Sequence, residues 1–169
     1  MKINIVYASV TGNTKLLAEK IKDTLKSYDV ELYKLPCDCR EADLYFVGSW
    51  TDKGNEATQV IDFLKDVKNK KIAIFGTAGF GGSEEYYKRL ENRALTNIDL
   101  SNLYLGSFYC QGKMPLVVRD RYVKMIKEHP DDQNLIVSIK NFDEALSHPN
   151  DNDLSNLEKW VKSIILKLN

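Results

Sequence analysis

A chain of 169 residues with 43% hydrophobic and 28% charged residues is expected to form one globular domain, spanning 1–169, with a substantial core. Twenty-four basic residues balance twenty-four acidic ones. No basic stripe favours nucleic acid, and no apolar run approaches the ~18 residues of a membrane span.

The N-terminus, Met1-Lys2-Ile3-Asn4-Ile5, enters a strand pattern directly, without the apolar region of a signal peptide, so a cytoplasmic location is expected. The first strand lies near Lys2 to Tyr7. An amphipathic helix with Leu17, Ile21 and Leu25 on one face follows, near Asn13 to Ser27. Between them, Ser9-Val10-Thr11-Gly12-Asn13-Thr14 gathers hydroxyls, a glycine and free N–H groups at a helix N-terminus. Unpaired donors and the helix macrodipole favour a phosphate there. The loop holds no Lys or Arg, so the phosphate would rest on neutral donors, which suits a permanently seated cofactor. An ordinary N-cap is the bland alternative.

Val30-Glu31-Leu32-Tyr33 alternates apolar and polar residues and reads as an edge strand. Cys37 and Cys39 lack the C-x-x-C spacing of redox or zinc motifs. With Cys110, they read as structural thiols. Asp43 to Gly48 is a continuous apolar run, as expected of a central strand covered on both faces. The loop Gly48-Ser49-Trp50-Thr51-Asp52-Lys53-Gly54-Asn55 comes next, and its indole offers a flat stacking surface. A helix with Ala57, Val60, Ile61 and Leu64 on one side leads to a fourth strand, Lys71 to Gly76. Gly76-Thr77-Ala78-Gly79-Phe80-Gly81-Gly82-Ser83 then lets backbone N–H groups approach a ligand closely. Phe80 in this loop could equally pack inward.

A helix opened by Ser83 carries Tyr87, Leu90 and Ala94, and Leu103 to Tyr109 forms a fifth strand. From Lys113 onward come three helical patterns: Val118, Tyr122, Met125; then Leu135, Ile139, Phe142, Leu146; then Leu154, Leu157, Val161, Ile164, Leu168. Turns at His129-Pro130 and His148-Pro149 separate them, and both histidines read as loop residues rather than metal ligands or bases. This extension, 113–169, is expected to pack on one sheet face or to offer a docking surface.

Five strands with intervening helices imply an α/β doubly wound parallel sheet. Neither G-x-G-x-x-G after the first strand nor G-x-x-x-x-G-K-[ST] is present, which excludes the usual dinucleotide and P-loop folds. The order 2-1-3-4-5 remains, with a ligand beyond the C-terminal ends of strands one and three. The third strand ends Val47-Gly48-Ser49, without the phosphoacceptor Asp of a receiver domain.

The first loop, S/T-x-T-G-x-T, resembles that of the flavodoxin family, over about the first two-thirds of the chain. The resemblance implies that FMN is bound non-covalently. Ser9, Val10, Thr11, Gly12, Asn13 and Thr14 would surround its phosphate. Ser49, Trp50, Thr51, Asp52 and Gly54 would lie against the ring, with Trp50 stacked on one face. In flavodoxins a glycine peptide in this loop turns over to offer a carbonyl to the flavin N5, a role that falls to Gly54. Thr77, Ala78, Gly79, Phe80, Gly81 and Gly82 would border the ring edge, with Phe80 where flavodoxins often carry a Tyr. The Gly-rich loop, together with Tyr109-Cys110-Gln111-Gly112-Lys113-Met114-Pro115, resembles a subgroup of flavodoxin-like proteins of anaerobic gut bacteria linked to bilirubin reduction.

The resemblance implies an electron carrier that passes single electrons to a partner reductase, as a monomer or weak dimer. Two alternatives stand beside it. One is an FMN-dependent NAD(P)H quinone or flavin reductase; the other is a binding module without FMN on the same fold. Flavodoxins are typically acidic, and this chain is neutral. Partner choice is therefore expected to rest on local contacts near Trp50, Phe80 and Lys113 and to vary weakly with salt.

Overall fold

The computed structural model describes residues 1–39 and 41–168. Strand alternation sorts the apolar runs between two cores. β1 (Lys2–Tyr7) sends Ile3, Ile5 and Tyr7 into one core and Val6 into the other. β3 (Leu44–Asp52) divides Leu44 and Phe46 from Tyr45 and Val47, and β5 (Lys71–Ala78) divides Ala73 and Phe75 from Ile72 and Ile74. Because both sides need apolar side chains, these strands read as continuous runs. α1 (Asn13–Thr24) and α6 (Asp151–Leu166) cover the first core; α2 (Thr58–Asp66) and α3 (Glu84–Leu95) cover the second.

β2 (Asp29–Lys34) and β6 (Leu103–Gln111) form the edges of a parallel sheet ordered β2-β1-β3-β5-β6. Counting only these strands, the order is the expected 2-1-3-4-5. A sixth strand, β4 (Asn55–Glu56), pairs antiparallel with the end of β3. The segment holding Trp50 is therefore not a loop. β3 continues through Trp50 to Asp52, and a two-residue turn at Lys53-Gly54 returns the chain. The positive φ angles of both turn residues, 50° and 79°, are those of a type I′ hairpin. β5 and β6 likewise run two residues beyond the sequence expectation, to Ala78 and Gln111.

The C-terminal part forms α4 (Leu116–Glu128), α5 (Gln133–Ala145) and α6. Asp132 caps α5, and Asn150 with Asp153 forms a capping box on α6, whose buried Leu157, Val161 and Ile164 press against α1 and β6. Full burial of each such side chain contributes about 1.5–3 kcal/mol. α4 buries no residue and packs chiefly on α5. These two helices stand at the C-terminal end of the sheet, where Asn141 of α5 reaches the loop after β5. His129 ends α4, and His148 lies 2.6 Å from Asp153 at the start of α6. Burial pushes the Cys37 thiol up to about 11 and raises Cys110 as well, which disfavours the nucleophilic thiolate at both.

Candidate functional site

The sheet order reverses direction between β1 and β3, and loops leaving those strands part to leave a crevice. A cavity of about 460 Å³ opens there. Val10, Thr11 and Asn13 supply one wall. Trp50, Thr51, Lys53 and Gly54 supply a second, and Thr77, Ala78, Gly79 and Phe80 a third. Tyr86 of α3, the segment Gly112 to Pro115, and Val118 and Tyr122 of α4 close the remainder.

At the first wall, Gly12 is the N-cap of α1 and no side chain caps the helix. Leu16 makes the first intrahelical bond, to the Gly12 carbonyl at 3.0 Å, which leaves the N–H groups of Asn13, Thr14 and Lys15 for another acceptor. The Ser9 hydroxyl accepts from the Gly12 N–H at 3.2 Å and keeps its own proton to donate. Asn13 donates to the Lys113 carbonyl at 2.9 Å, while its buried Oδ1 has no partner among the described residues. Thr14 is fully buried, and its hydroxyl shares a 3.1 Å hydrogen bond with that of Thr77. Thr14 thus joins β5 to α1 instead of facing the cavity.

The second wall is the β3–β4 hairpin. Ser49 lies beneath it, buried; it accepts from the Ala57 N–H and donates to the Trp50 carbonyl, both at 2.8 Å. Its hydroxyl is therefore spent on holding the entry to α2. Asp52 is exposed at the strand end and does not line the cavity. Arg93 of α3 donates to the Gly54 carbonyl at 2.6 Å, and a Cβ on Gly54 would stand 2.7 Å from that same guanidinium. The positive φ favours glycine at position 54, and a side chain there would also displace the Arg93 guanidinium.

The third wall is braced from the C-terminal part. Gly79 offers its carbonyl to Asn141 at 3.0 Å and to Gln111 at 3.2 Å. Gln111 also donates to Asn141 Oδ1 at 3.1 Å. Phe80 points outward, 41% exposed, at the cavity rim. Gly81 and Gly82 lie outside the lining, where the Gly82 N–H donates to the Tyr87 hydroxyl at 3.3 Å.

Behind the hairpin sits a group that sequence reasoning missed. Glu56 is buried, accepts from the Tyr109 hydroxyl at 3.1 Å, and leaves its Oε2 without a hydrogen-bond partner among the described residues. Burial raises its pKa. Burial, followed by the field of Glu56, holds the Tyr109 hydroxyl far above its ordinary value. Lys53, Tyr86, Val118 and Tyr122 were also missed as lining residues. Tyr86 carried a signal, since it falls in the first turn of the helix after the Gly-rich loop.

Among the sequence-predicted residues, ten meet at the cavity: Val10, Thr11, Asn13, Trp50, Thr51, Gly54, Thr77, Ala78, Gly79 and Phe80. Ser9 and Gly12 shape the loop beside it. The arrangement offers a neutral, donor-rich end for an anion and a wide apolar slot beside it.

Comparison with known proteins agrees with this architecture. Residues 4–162 match the family model described as a flavodoxin domain. The flavodoxin-like domain-containing protein BilS of Clostridium symbiosum is 34% identical, over 98% of this chain and 96% of that protein. A flavodoxin from Streptococcus pneumonia TIGR4 superposes with a TM-score of 0.60 at 19% identity, covering 99% of each chain. A flavoprotein of Lactobacillus acidophilus NCFM, crystallised in complex with FMN, gives 0.51 at 21% identity, covering 64% of this chain and 92% of its own. With a family model spanning most of its length and a relative matched from end to end, the chain belongs to the flavodoxin-domain family.

Proposed function

We propose that the chain binds one FMN in the cavity at the ends of β1, β3 and β5 and acts as an electron carrier to a partner reductase. The observation that carries this reading is the first wall. An uncapped α1 N-terminus bearing the Ser9 and Thr11 hydroxyls, on a loop that itself carries no Lys or Arg, opens into a slot walled by Trp50, Phe80 and Tyr122. The chemistry of these groups fits the cofactor. Neutral donors suit a phosphate monoester that never leaves, and an apolar slot suits a flat ring. The unpartnered, buried Asn13 Oδ1 marks a polar atom with spare capacity at the same end. The FMN complex of the Lactobacillus acidophilus relative supports the same assignment.

Bound FMN supplies one- and two-electron redox chemistry. The protein's own contributions are binding and exposure. Ser9, Thr11 and the N–H groups of Asn13 and Thr14 hold the phosphate. Trp50 would cover one side of the ring, and Asn141 with Gln111, by holding the Gly79 carbonyl, would fix the segment from Thr77 to Phe80 along its edge. Val10 and Phe80, 71% and 41% exposed, leave an apolar rim for the partner. Burial raises the Glu56 pKa, against the smaller lowering effects of the Tyr109 hydrogen bond and the Arg93 charge, and so disfavours negative charge behind the hairpin.

A coulometric reductive titration of the FMN-loaded protein tests the carrier role. Two resolved one-electron steps are expected. A single two-electron step, with rapid reduction by NADPH alone, would instead favour an FMN-dependent reductase.

A further inference from the structure

A second cavity, of about 360 Å³, adjoins the first. The two share Lys53, Gly54, Phe80 and Tyr86, and the second is completed by Arg89, Leu90 and Arg93 of α3. Three cations therefore face one concavity beside the proposed FMN slot. Arg89 and Arg93, four residues apart, project from the same side of α3. Lys53 is brought opposite them by the hairpin turn, with a positive φ of 50° that is unfavourable for a lysine.

These cations are oriented and largely available. Arg93 is pinned by its 2.6 Å bond to the Gly54 carbonyl, which uses one of a guanidinium's five N–H donors. Among the described residues, neither Arg93 nor Lys53 forms an ion pair. Arg89 lies 5.7 Å from the Tyr86 ring centroid, a cation–π distance. Its ion pair with Glu85, at 3.0 Å, joins side chains 62% and 84% exposed, so water and salt screen it and it is cheaply exchanged. Phe80 and Tyr86 supply flat apolar surface, and Leu90 supplies the floor.

We propose that this second cavity binds a flat organic anion, its carboxylate held by Lys53 and Arg93 with Arg89 alongside, and its apolar body against Phe80 and Tyr86. A guanidinium fork matches a carboxylate's two oxygens. The cations line a concave wall of small-molecule size instead of crowning a flat surface, which favours a small ligand over the acidic face of a protein. The shared aromatic wall sets the ligand's body at the edge of the FMN slot. That placement rests on the FMN reading, but recognition of the anion does not.

The test uses the full-length, FMN-loaded protein, titrated with 2-naphthoate and followed through the Gly54 amide and arginine side-chain NMR signals. Saturable shifts at Gly54 and Arg93 are expected. Neutral 2-naphthamide should bind at least about tenfold more weakly, and Lys53→Gln and Arg89→Gln should each weaken naphthoate binding by about threefold or more. Equal affinity for naphthoate and naphthamide, or unaltered affinity in both variants, would overturn the proposal. So would inorganic phosphate or hexaglutamate binding as tightly at the same residues. The first would make the cavity a simple anion site, the second a face for an acidic protein. Flavin absorbance of each sample reports FMN content separately. A sample that takes up no FMN yet binds naphthoate would contradict the cofactor reading alone.

Discussion

The side-chain amide of Asn13 donates to the backbone carbonyl of Lys113 across 2.9 Å, joining residues 100 positions apart. The Lys113 N–H donates in turn to the His148 carbonyl at 2.9 Å. The start of α1, the segment leaving β6 and the start of α6 are thereby locked into one unit at the proposed phosphate end. Gly112 makes this closure possible, because a Cβ there would lie 2.6 Å from Asn13 Nδ2.

Gly112→Ala should accordingly lower stability by about 1–3 kcal/mol, the usual cost of overpacking a site that cannot relax. The Asn13 side chain is buried and has little room to withdraw. Urea unfolding measures the effect, and FMN titration of the same variant should show weaker binding. Unchanged stability would mean that the loop is free to move.

Thr11 and Thr14 should separate function from folding. Thr11 lines the cavity, so Thr11→Ala should weaken FMN binding by about 0.5–1.5 kcal/mol with little effect on unfolding. Thr14 is buried against Thr77, so Thr14→Ala should cost about 1–3 kcal/mol of stability by stranding a buried hydroxyl. Matched denaturation and FMN titrations would reveal the opposite pattern if Thr14 were the phosphate ligand.

Glu56 gives the fold a pH dependence of definite sign. Its folded pKa is raised by burial, so the folded state retains a proton that the unfolded state releases. Its contribution to stability is fully present below the unfolded carboxylate value and is lost as pH rises through the higher folded value. Glu56→Gln removes this loss. The variant should gain on the parent as pH rises from the ordinary carboxylate range toward neutrality, and the difference should level off above the folded pKa. Urea unfolding of both proteins across that range checks it; a constant difference would place the carboxylate in an unperturbed setting.

Gly54→Ala probes the hairpin. A left-handed backbone and the 2.7 Å approach of Arg93 both oppose a side chain here. A cost of about 1–3 kcal/mol is expected, together with slower exchange protection loss elsewhere than at the Lys53-Gly54 turn. Hydrogen exchange localises the effect, and protection at Trp50 and Glu56 should fall first.

Much of the fold was legible because the central strands had to be apolar on both faces. Leu44 to Val47 and Ile72 to Phe75 reported buried parallel strands, and the first loop's hydroxyls reported a helix start with unmet donors. What local pattern left unread depends on long-range pairing. Trp50 looked like a loop residue because its strand neighbour, Thr77, lies in a second glycine-bearing segment. Glu56 carried no local signal, because its burial depends on Tyr109, from β6, which crosses beneath Gly76 to meet it. The grouping of Lys53 with Arg89 and Arg93 was hidden by a net charge of zero, since the turn and α3 are far apart in sequence. The expected weak salt dependence rested on a net charge of zero and on local contacts near Trp50, Phe80 and Lys113. For an anionic ligand at the cationic wall of Lys53, Arg89 and Arg93, local charge is the relevant quantity, and salt screens it.

The most direct measurement of the central reading is a titration of purified apoprotein with FMN, followed by tryptophan emission and flavin fluorescence. One FMN per chain should be taken up, quenching Trp50, which lines the cavity, more than Trp160, which packs against Phe46 and Phe108 in the first core. Trp50→Phe should abolish most of the protein quenching while leaving a flavin that still binds. Free flavin fluorescence and undiminished tryptophan emission at FMN concentrations of about 100 μM, where a Kd in the micromolar range would give near-saturation, would contradict the account.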